Sequence, residues 1–125
     1  MTVNLTPTEA AEARVYMQWC KMQGYLFTHV KNETGRPVAG RKVRNYRAMW
    51  DAMDGVSAGF PDFVVVAGSV VIFIELKRVK GGKISEAQHK WINALKAAGM
   101  PAAVCKGAEE AIAFTQATVK AATAR

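Results

Sequence analysis

Two short apolar runs, separated by Gly68 and Ser69, dominate the hydrophobic pattern of the chain. The runs cover residues 63–67 and 70–76, and β-branched and aromatic side chains make up most of both. Glycine followed by a small polar residue suits a two-residue type II′ turn. The pattern therefore predicts a β-hairpin with its tip at Gly68.

The turn also fixes the register of this hairpin. Counting outward from the tip, Phe63 lies opposite Ile74, and one step further Asp62 lies opposite Glu75. Residues that oppose each other point to the same face of a sheet, with Cβ atoms roughly 5 Å apart. Lys77 is two residues beyond Glu75 and shares that face. The register brings two carboxylates and one ammonium group together at the open end of the hairpin.

Helical patterns surround the hairpin. A capping box at Thr6-Pro7-Thr8-Glu9 predicts a helix over residues 7–23 that ends at Gly24. A second helix is predicted from Ser85 to about Ala98, and an alanine-rich helix from Gly107 to about Ala122. The predicted inward-facing residues are Val15, Tyr16, Trp19 and Met22 on the first helix and Trp91, Ile92 and Leu95 on the second.

The remaining segments complete an α/β pattern. Residues 25–31 and 100–106 are predicted strands, residues 32–35 a turn, and residues 43–53 a short helix. The strand–helix–strand order between residues 75 and 104 implies a parallel strand pair. A chain of 125 residues that is 50% hydrophobic fits one domain over residues 1–125. We expect a small mixed β-sheet flanked by helices.

The net charge of +7 favours a polyanionic partner, chiefly nucleic acid. The densest basic stretch is residues 36–47, and a second basic segment follows Lys77 at the carboxylate end of the hairpin. We expect these segments to contact the DNA backbone, although a solvated loop is the alternative for residues 36–47. The basic residues concerned are Arg36, Arg41, Lys42, Arg44, Arg47, Arg78, Lys80 and Lys83.

Cys20 and Cys105 lie far apart in apolar surroundings and are predicted to be reduced core residues of a cytoplasmic protein. The N-terminus lacks the basic region of a signal peptide. The longest apolar stretch, residues 63–74, is too short to span a bilayer.

The opposed Asp62 and Glu75 indicate a metal site. Two adjacent carboxylates repel each other and lose hydration on burial, so a hairpin selected only for stability would avoid them. A divalent cation such as Mg²⁺ or Mn²⁺, which prefers carboxylate oxygens, removes the objection. Lys77 would then contact a phosphate or hold a water. The alternative is that Asp62 and Glu75 are solvated strand ends with Lys77 as their ion-pair partner.

Three further polar residues are candidates for this site. Glu12 lies on the predicted inner face of the first helix, where a carboxylate needs a partner. Glu9 lies one turn earlier and has an alternative role in its capping box. Gln88 has the same alternative role at the second helix, but it shares a face with Ile92 and Leu95 that points toward Lys77.

Asp62, the Glu75-Leu76-Lys77 sequence, Gln88 and a first-helix glutamate together resemble the PD-(D/E)XK nuclease superfamily. The segments Gly59-Phe-Pro-Asp62 and Lys83-Ile-Ser-Glu-Ala-Gln-His-Lys-Trp91 resemble more closely its VRR-NUC family. The resemblance implies a restriction-endonuclease-like core. It also implies Mg²⁺- or Mn²⁺-dependent endonuclease cleavage of branched or flapped DNA, including Holliday junctions. Stand-alone members, from phages and bacteria, act as homodimers. The expected location is the cytoplasm, which for a phage-encoded member is the cytoplasm of the host.

The resemblance also implies roles for single residues. Asp62 and Glu75 become metal ligands, with the backbone carbonyl of Leu76 as a further ligand, while Lys77 orients the attacking water and Gln88 supports the site. For the first-helix glutamate, family spacing favours Glu9 and the helical face favours Glu12. Two rival functions remain, namely a non-catalytic DNA-binding module and a nuclease that acts on flaps or ordinary duplex DNA.

Overall fold

Three helices and four strands make up the part of the chain that the computed structural model describes, residues 5–30 and 58–124. In chain order they are α1 (Glu9–Gln23), β1 (Leu26–His29), β2 (Phe63–Ala67), β3 (Val70–Lys77), α2 (Glu86–Ala97), β4 (Ala102–Lys106) and α3 (Gly107–Thr123). No helix in the described ranges is long and apolar enough to cross a membrane. The predicted turn at 32–35, the short helix at 43–53 and the basic residues of 36–47 lie outside these ranges.

The four strands form one mixed sheet in the order β1-β2-β3-β4. β2 pairs antiparallel with β1 and β3, whereas β3 and β4, joined through α2, are parallel. This confirms the predicted α/β fold with a restriction-endonuclease-like core. The hairpin register is also confirmed, with Phe63 opposite Ile74 and Ala67 opposite Val70. Gly68 has a φ of 63° and Ser69 does not have a positive φ, as a type II′ turn requires.

One face of the sheet packs against α1 and α3. The buried side chains of β2 and β3 on this face are Phe63, Val65, Ala67, Ile72, Ile74 and Leu76. On the helix side, Tyr16 packs edge-on against Phe63, with ring centroids 5.2 Å apart. The Tyr16 hydroxyl also bonds to Oγ1 of Thr115 at 2.8 Å, which joins α1 to α3 inside the core. These contacts fix α1 relative to the hairpin.

The predicted inner stripe of α1 is wrong for two of its four residues. Val15 is 51% exposed and Met22 is 81% exposed. The face that packs on the core carries Ala13, Tyr16 and Cys20, all buried. Small side chains at 13 and 20 allow close packing around the large Tyr16, so side-chain size and not hydrophobicity alone decides which stripe is buried.

The beginning of α1 also differs from the prediction. The N-cap is Thr8, whose hydroxyl accepts the N–H of Ala11 at 3.1 Å, and the helix begins at Glu9. Thr6 and Thr8 are both good N-cap residues, and the sequence pattern does not choose between them. Glu9 is therefore the first helical residue, two positions before the place where a capping-box glutamate would lie.

The opposite face of the sheet is covered by α2. Phe60 lies between Phe73 of β3 and Trp91 of α2, with ring centroids 6.3 and 4.9 Å away. The capping box of α2 at Ser85 and Gln88 is confirmed. β4 begins at Ala102, two residues later than predicted, while the carbonyl of Pro101 accepts the N–H of Phe73. α2 thus begins at the same end of the sheet at which the hairpin opens.

Candidate active site at the open end of the hairpin

Asp62 and Glu75 lie opposite each other at the open end of the hairpin, as the register predicts, and each carboxylate accepts a backbone N–H from the other strand. The N–H of Leu76 donates to Oδ2 of Asp62 at 2.9 Å, and the N–H of Asp62 donates to Oε2 of Glu75 at 3.2 Å. The carbonyl of Asp62 also accepts the N–H of Val30, the residue that follows β1. Hydrogen bonds from two neighbouring strands therefore hold the main chain and carboxylate of Asp62 in place.

The second carboxylate oxygen of Glu75 faces one amide donor and one ammonium group. Nε2 of Gln88 donates to Oε1 of Glu75 at 2.6 Å, and Nζ of Lys77 lies 3.5 Å from the same oxygen. The Glu75 side chain is 1% exposed and that of Lys77 only 12%. Glu75 is therefore a buried carboxylate whose orientation is set by Asp62, Lys77 and Gln88.

Gln88 combines both roles that its sequence position suggested. Its Oε1 accepts the N–H of Ser85 at 2.8 Å, and its own N–H donates to Oγ of Ser85 at 3.2 Å. These two bonds close the capping box of α2 and leave Nε2 for Glu75. The cap thus fixes the amide group in the orientation that presents its donor to the acidic pair.

Gly59 places α2 close to the acidic pair. Its φ is +86°, a left-handed conformation that favours glycine. A Cβ atom added at this position would lie 2.4 Å from the carbonyl carbon of Ala87 and 2.6 Å from the backbone nitrogen of Gln88. The segment that leads to Asp62 therefore rests directly on the first turn of α2, and only glycine permits this approach.

Burial makes the ionised forms of both carboxylates unfavourable. Desolvation and the neighbouring charge of Asp62 raise the pKa of Glu75 to about 8, against the opposing effect of Lys77. Desolvation also raises the pKa of Asp62 to about 6; the N–H of Leu76 opposes this rise and the charge of Glu9 adds to it. Raised carboxyl pKa values of this kind are typical of functional sites, where burial and like-charge pairs are arranged to shift pKa values.

The donor set of this site fits a hard divalent cation. Asp62 and Glu75 provide two carboxylates, and the carboxylate of Asp62 accepts the N–H of Leu76 through Oδ2. Mg²⁺ is commonly held by one or two carboxylates together with waters and substrate phosphate oxygens. Within residues 5–30 and 58–124, no three or more His, Cys, Asp or Glu side chains form a ready-made metal cluster. Asp62 and Glu75 are therefore the described side chains at this site that could hold such an ion.

The two first-helix glutamates lie in different surroundings. Glu9 is exposed, and its charge acts on Asp62 strongly enough to raise the pKa of that carboxyl group. Glu12 lies over the beginning of α3, where Oε2 would be 2.6 Å from a Cβ atom added at Gly107. A negative charge near the N-terminus of a helix stabilises that helix. The geometry thus associates Glu9 with the acidic pair and Glu12 with helix packing.

Of the three predicted basic residues near the site, two are exposed and one is half-buried. Lys80 and Lys83 are exposed, whereas Arg78 is half-buried and its Nε atom is buried without a hydrogen-bond partner. Lys106, which is not among the residues predicted from the sequence, lies directly beside Lys77 in the parallel pair of β3 and β4. The predicted crossover indicates only that the two strands are parallel neighbours, and the structure adds the register that aligns Lys106 with Lys77.

Both cysteines are buried and free, as predicted for core residues. Burial raises the pKa of Cys20 and raises that of Cys105 to about 12. Because the thiolate is the reactive form, neither cysteine is suited to nucleophilic chemistry at this site.

Comparison with known proteins points to one family. The family model described as the VRR-NUC domain matches residues 7–109. A solved structure described as a VRR_NUC domain protein has a TM-score of 0.64 and 24% identity, covering 95% of this chain and 92% of its own. Another, described as a VRR_NUC domain, has a TM-score of 0.57 and 15% identity, covering 88% and 97%. No curated protein matches the chain. At these identities the structural likeness concerns the fold.

Proposed function

The chain belongs to the VRR-NUC domain family, and from this premise we propose that it is a divalent-metal-dependent endonuclease that cuts branched DNA such as Holliday junctions. The family is one of nuclease-type domains within the PD-(D/E)XK superfamily, so DNA is the partner that this membership implies. The observation that carries the proposal is the pairing of half-buried Asp62 with buried Glu75, with Lys77 and Gln88 on one oxygen of Glu75.

Asp62 and Glu75 would hold Mg²⁺ or Mn²⁺, with the carbonyl of Leu76 as a further ligand and Glu9 as the outer carboxylate. When bound, the cation would lower the pKa of water at the site and neutralise charge on the scissile phosphate. Its double charge would also favour ionised Asp62 and Glu75, whose pKa values burial raises.

The protein's own groups have separate tasks in the proposed reaction. Lys77, held beside Glu75, orients the attacking water and stabilises negative charge that develops on the phosphate. Gln88 keeps Oε1 of Glu75 in one orientation, because its own amide is fixed by Ser85. Glu12 supports the adjacent helix and has no role in the reaction.

Symmetric resolution of a junction requires two sites that act on two strands. The described part of each chain carries one acidic pair at the end of one hairpin, so paired cuts would require two copies related by a twofold axis. We therefore propose that the active form on junctions is a homodimer.

The test is cleavage of a labelled four-way junction beside matched flap, linear duplex and single-stranded DNA. Each substrate is incubated with Mg²⁺, Mn²⁺ or EDTA, using the wild type, Asp62→Ala and Lys77→Ala. Paired cuts confined to the junction, absent in EDTA and in both variants, are the expected result. Metal-dependent cutting of every substrate would overturn the junction preference, and DNA binding without cleavage would establish the non-catalytic module. Equal cleavage by a contaminant-free Asp62→Ala preparation would overturn the assigned site.

A further inference from the structure

Lys106 lies beside Lys77 at the active-site end of the sheet. The two residues are register partners in the parallel pair of β3 and β4, so their side chains leave the same face. Lys77 has a carboxyl partner in Glu75, whose Oε1 lies 3.5 Å from Nζ of Lys77. Lys106 is exposed and has no ion pair with any carboxylate among the described residues. Two like charges side by side in a sheet repel each other, so an anion bound between Lys77 and Lys106 would be stabilising.

The helix that follows gives a second, independent reason to single out Lys106. Lys106 is the N-cap of α3 and makes no side-chain hydrogen bond to the helix. Ser, Thr, Asp and Asn are strongly preferred at this position because their side chains accept a backbone N–H, which lysine cannot do. Because the Lys106 side chain does not cap α3, its ammonium group is available to bind an anion outside the helix.

The carboxylates near Lys106 form no described ion pair with its ammonium group. Oε1 of Glu110 accepts the N–H of Lys106 at 3.0 Å, and Glu12 lies over Gly107. Glu110 therefore already satisfies the backbone N–H of Lys106, and the ammonium group of the lysine side chain is left to bind an anion. Glu109, in the same turn, is exposed to solvent.

We propose that the Lys106 ammonium group contacts a backbone phosphate of bound DNA next to the phosphate at the acidic pair. This inference rests on the proposed function for the identity of the anion. Lys106 is a positioning residue here: it sets where the strand lies, while Asp62, Glu75 and Lys77 act at the scissile bond. Lys106→Gln should therefore weaken DNA binding and leave the fold intact.

The contact is tested by fluorescence anisotropy with a labelled four-way junction in EDTA, which separates binding from cleavage. Removing one phosphate contact decreases the magnitude of the negative slope of log K for association against log salt by about 0.9, measured between about 50 and 200 mM KCl. We expect this decrease for Lys106→Gln and recovery in Lys106→Arg. The matched control is Lys96→Gln, an exposed lysine in the last turn of α2, at the other end of the sheet.

An unchanged slope in Lys106→Gln, or an equal loss in Lys96→Gln, would overturn the inference. Circular dichroism melting of each variant establishes that binding is compared between folded proteins. The inference and the proposed function can fail separately. If the wild type cleaves DNA with metal but Lys106→Gln has the wild-type salt slope, only the Lys106 contact is contradicted. A reduced slope in Lys106→Gln, with a wild type that never cleaves, contradicts only the nuclease.

Discussion

Nε2 of Gln88 donates a 2.6 Å hydrogen bond to Oε1 of Glu75, and the same amide completes the N-terminal cap of α2 through its oxygen. A helix cap and an acidic site thus share one side chain. The cap prevents the amide from flipping, because the flipped group would present its NH₂ to the Ser85 N–H and its oxygen to the carboxylate. The local stability of α2 is therefore coupled to the orientation of Glu75.

Gln88→Ala should reduce cleavage about 10- to 100-fold, the usual loss when a partner that orients a metal ligand is removed. Ser85→Ala is the matched control, because it removes the cap hydroxyl and leaves Nε2 of Gln88 available to Glu75. Both variants should lose about 1 kcal/mol of unfolding free energy. Single-turnover cleavage and urea unfolding on the same preparations measure the two effects. Equal losses of activity would mean that Gln88 acts only as a cap.

The two first-helix glutamates should separate activity from stability. Glu9→Gln removes the charge that acts on Asp62, so we expect slower metal-dependent cleavage with an unchanged melting temperature. Glu12→Gln removes a carboxylate from the beginning of α3, so we expect a loss of about 0.3–1 kcal/mol of stability with near-normal cleavage. Titrating Mn²⁺ in each cleavage assay should show a weaker apparent affinity for Glu9→Gln alone. The reverse pattern would make Glu12 the outer carboxylate.

The sequence predicts the acidic pair well because a two-residue turn leaves only one register. Once Gly68 and Ser69 occupy the tip, the positions of Asp62, Glu75 and Lys77 follow from the period of a strand. The choice between Glu9 and Glu12 could not be made in the same way. It depends on the helix beginning at Glu9 and on the burial of Ala13 and Cys20, both consequences of packing against α3 and the sheet.

Contacts between elements distant in sequence were also beyond the sequence pattern. The collision that forbids a side chain at Gly59 involves the backbone of Ala87 and Gln88, about which no local pattern near residue 59 carries information. The pairing of Lys77 with Lys106 required the exact alignment of two parallel strands, whereas the crossover predicts only that they are neighbours.

Gly59→Ala should destabilise the protein more than Gly68→Ala. Both glycines have positive φ, which costs an L-residue about 1–2 kcal/mol. A Cβ at Gly68 meets nothing within 4 Å, whereas a Cβ at Gly59 collides with the backbone of α2. Overpacking of this kind adds about 1–3 kcal/mol. Urea unfolding of the two variants isolates this extra cost as their difference, and equal destabilisation would contradict the close approach.

Displacing α2 should also separate Gln88 from Glu75. We therefore expect Gly59→Ala to lose cleavage activity under conditions in which it remains folded by circular dichroism, while Gly68→Ala retains it. Normal activity in folded Gly59→Ala would mean that Gly59 does not position the amide.

In EDTA, the stability of the wild type should fall as the pH rises from about 4 to about 8. The pKa of Glu75 is raised to about 8 and that of Asp62 to about 6, whereas the unfolded carboxyl groups titrate near about 4. Between these values the folded protein binds more protons than the unfolded chain, so the unfolding free energy decreases with pH. Melting temperatures across this range measure the slope. A slope that is unchanged in Asp62→Asn would assign it to other groups.

Asp62→Asn is the informative variant because the remaining amide oxygen still accepts the N–H of Leu76 and the charge opposite Glu75 is gone. Its melting temperature in EDTA at pH 8 should equal or exceed that of the wild type, although cleavage is lost. Added Mn²⁺ should raise the melting temperature of the wild type more at pH 8 than at pH 5, because protonated carboxyl groups do not bind the cation. The same addition should have little effect on Asp62→Asn. A pH-independent stabilisation by Mn²⁺ in both proteins would show that the cation binds elsewhere.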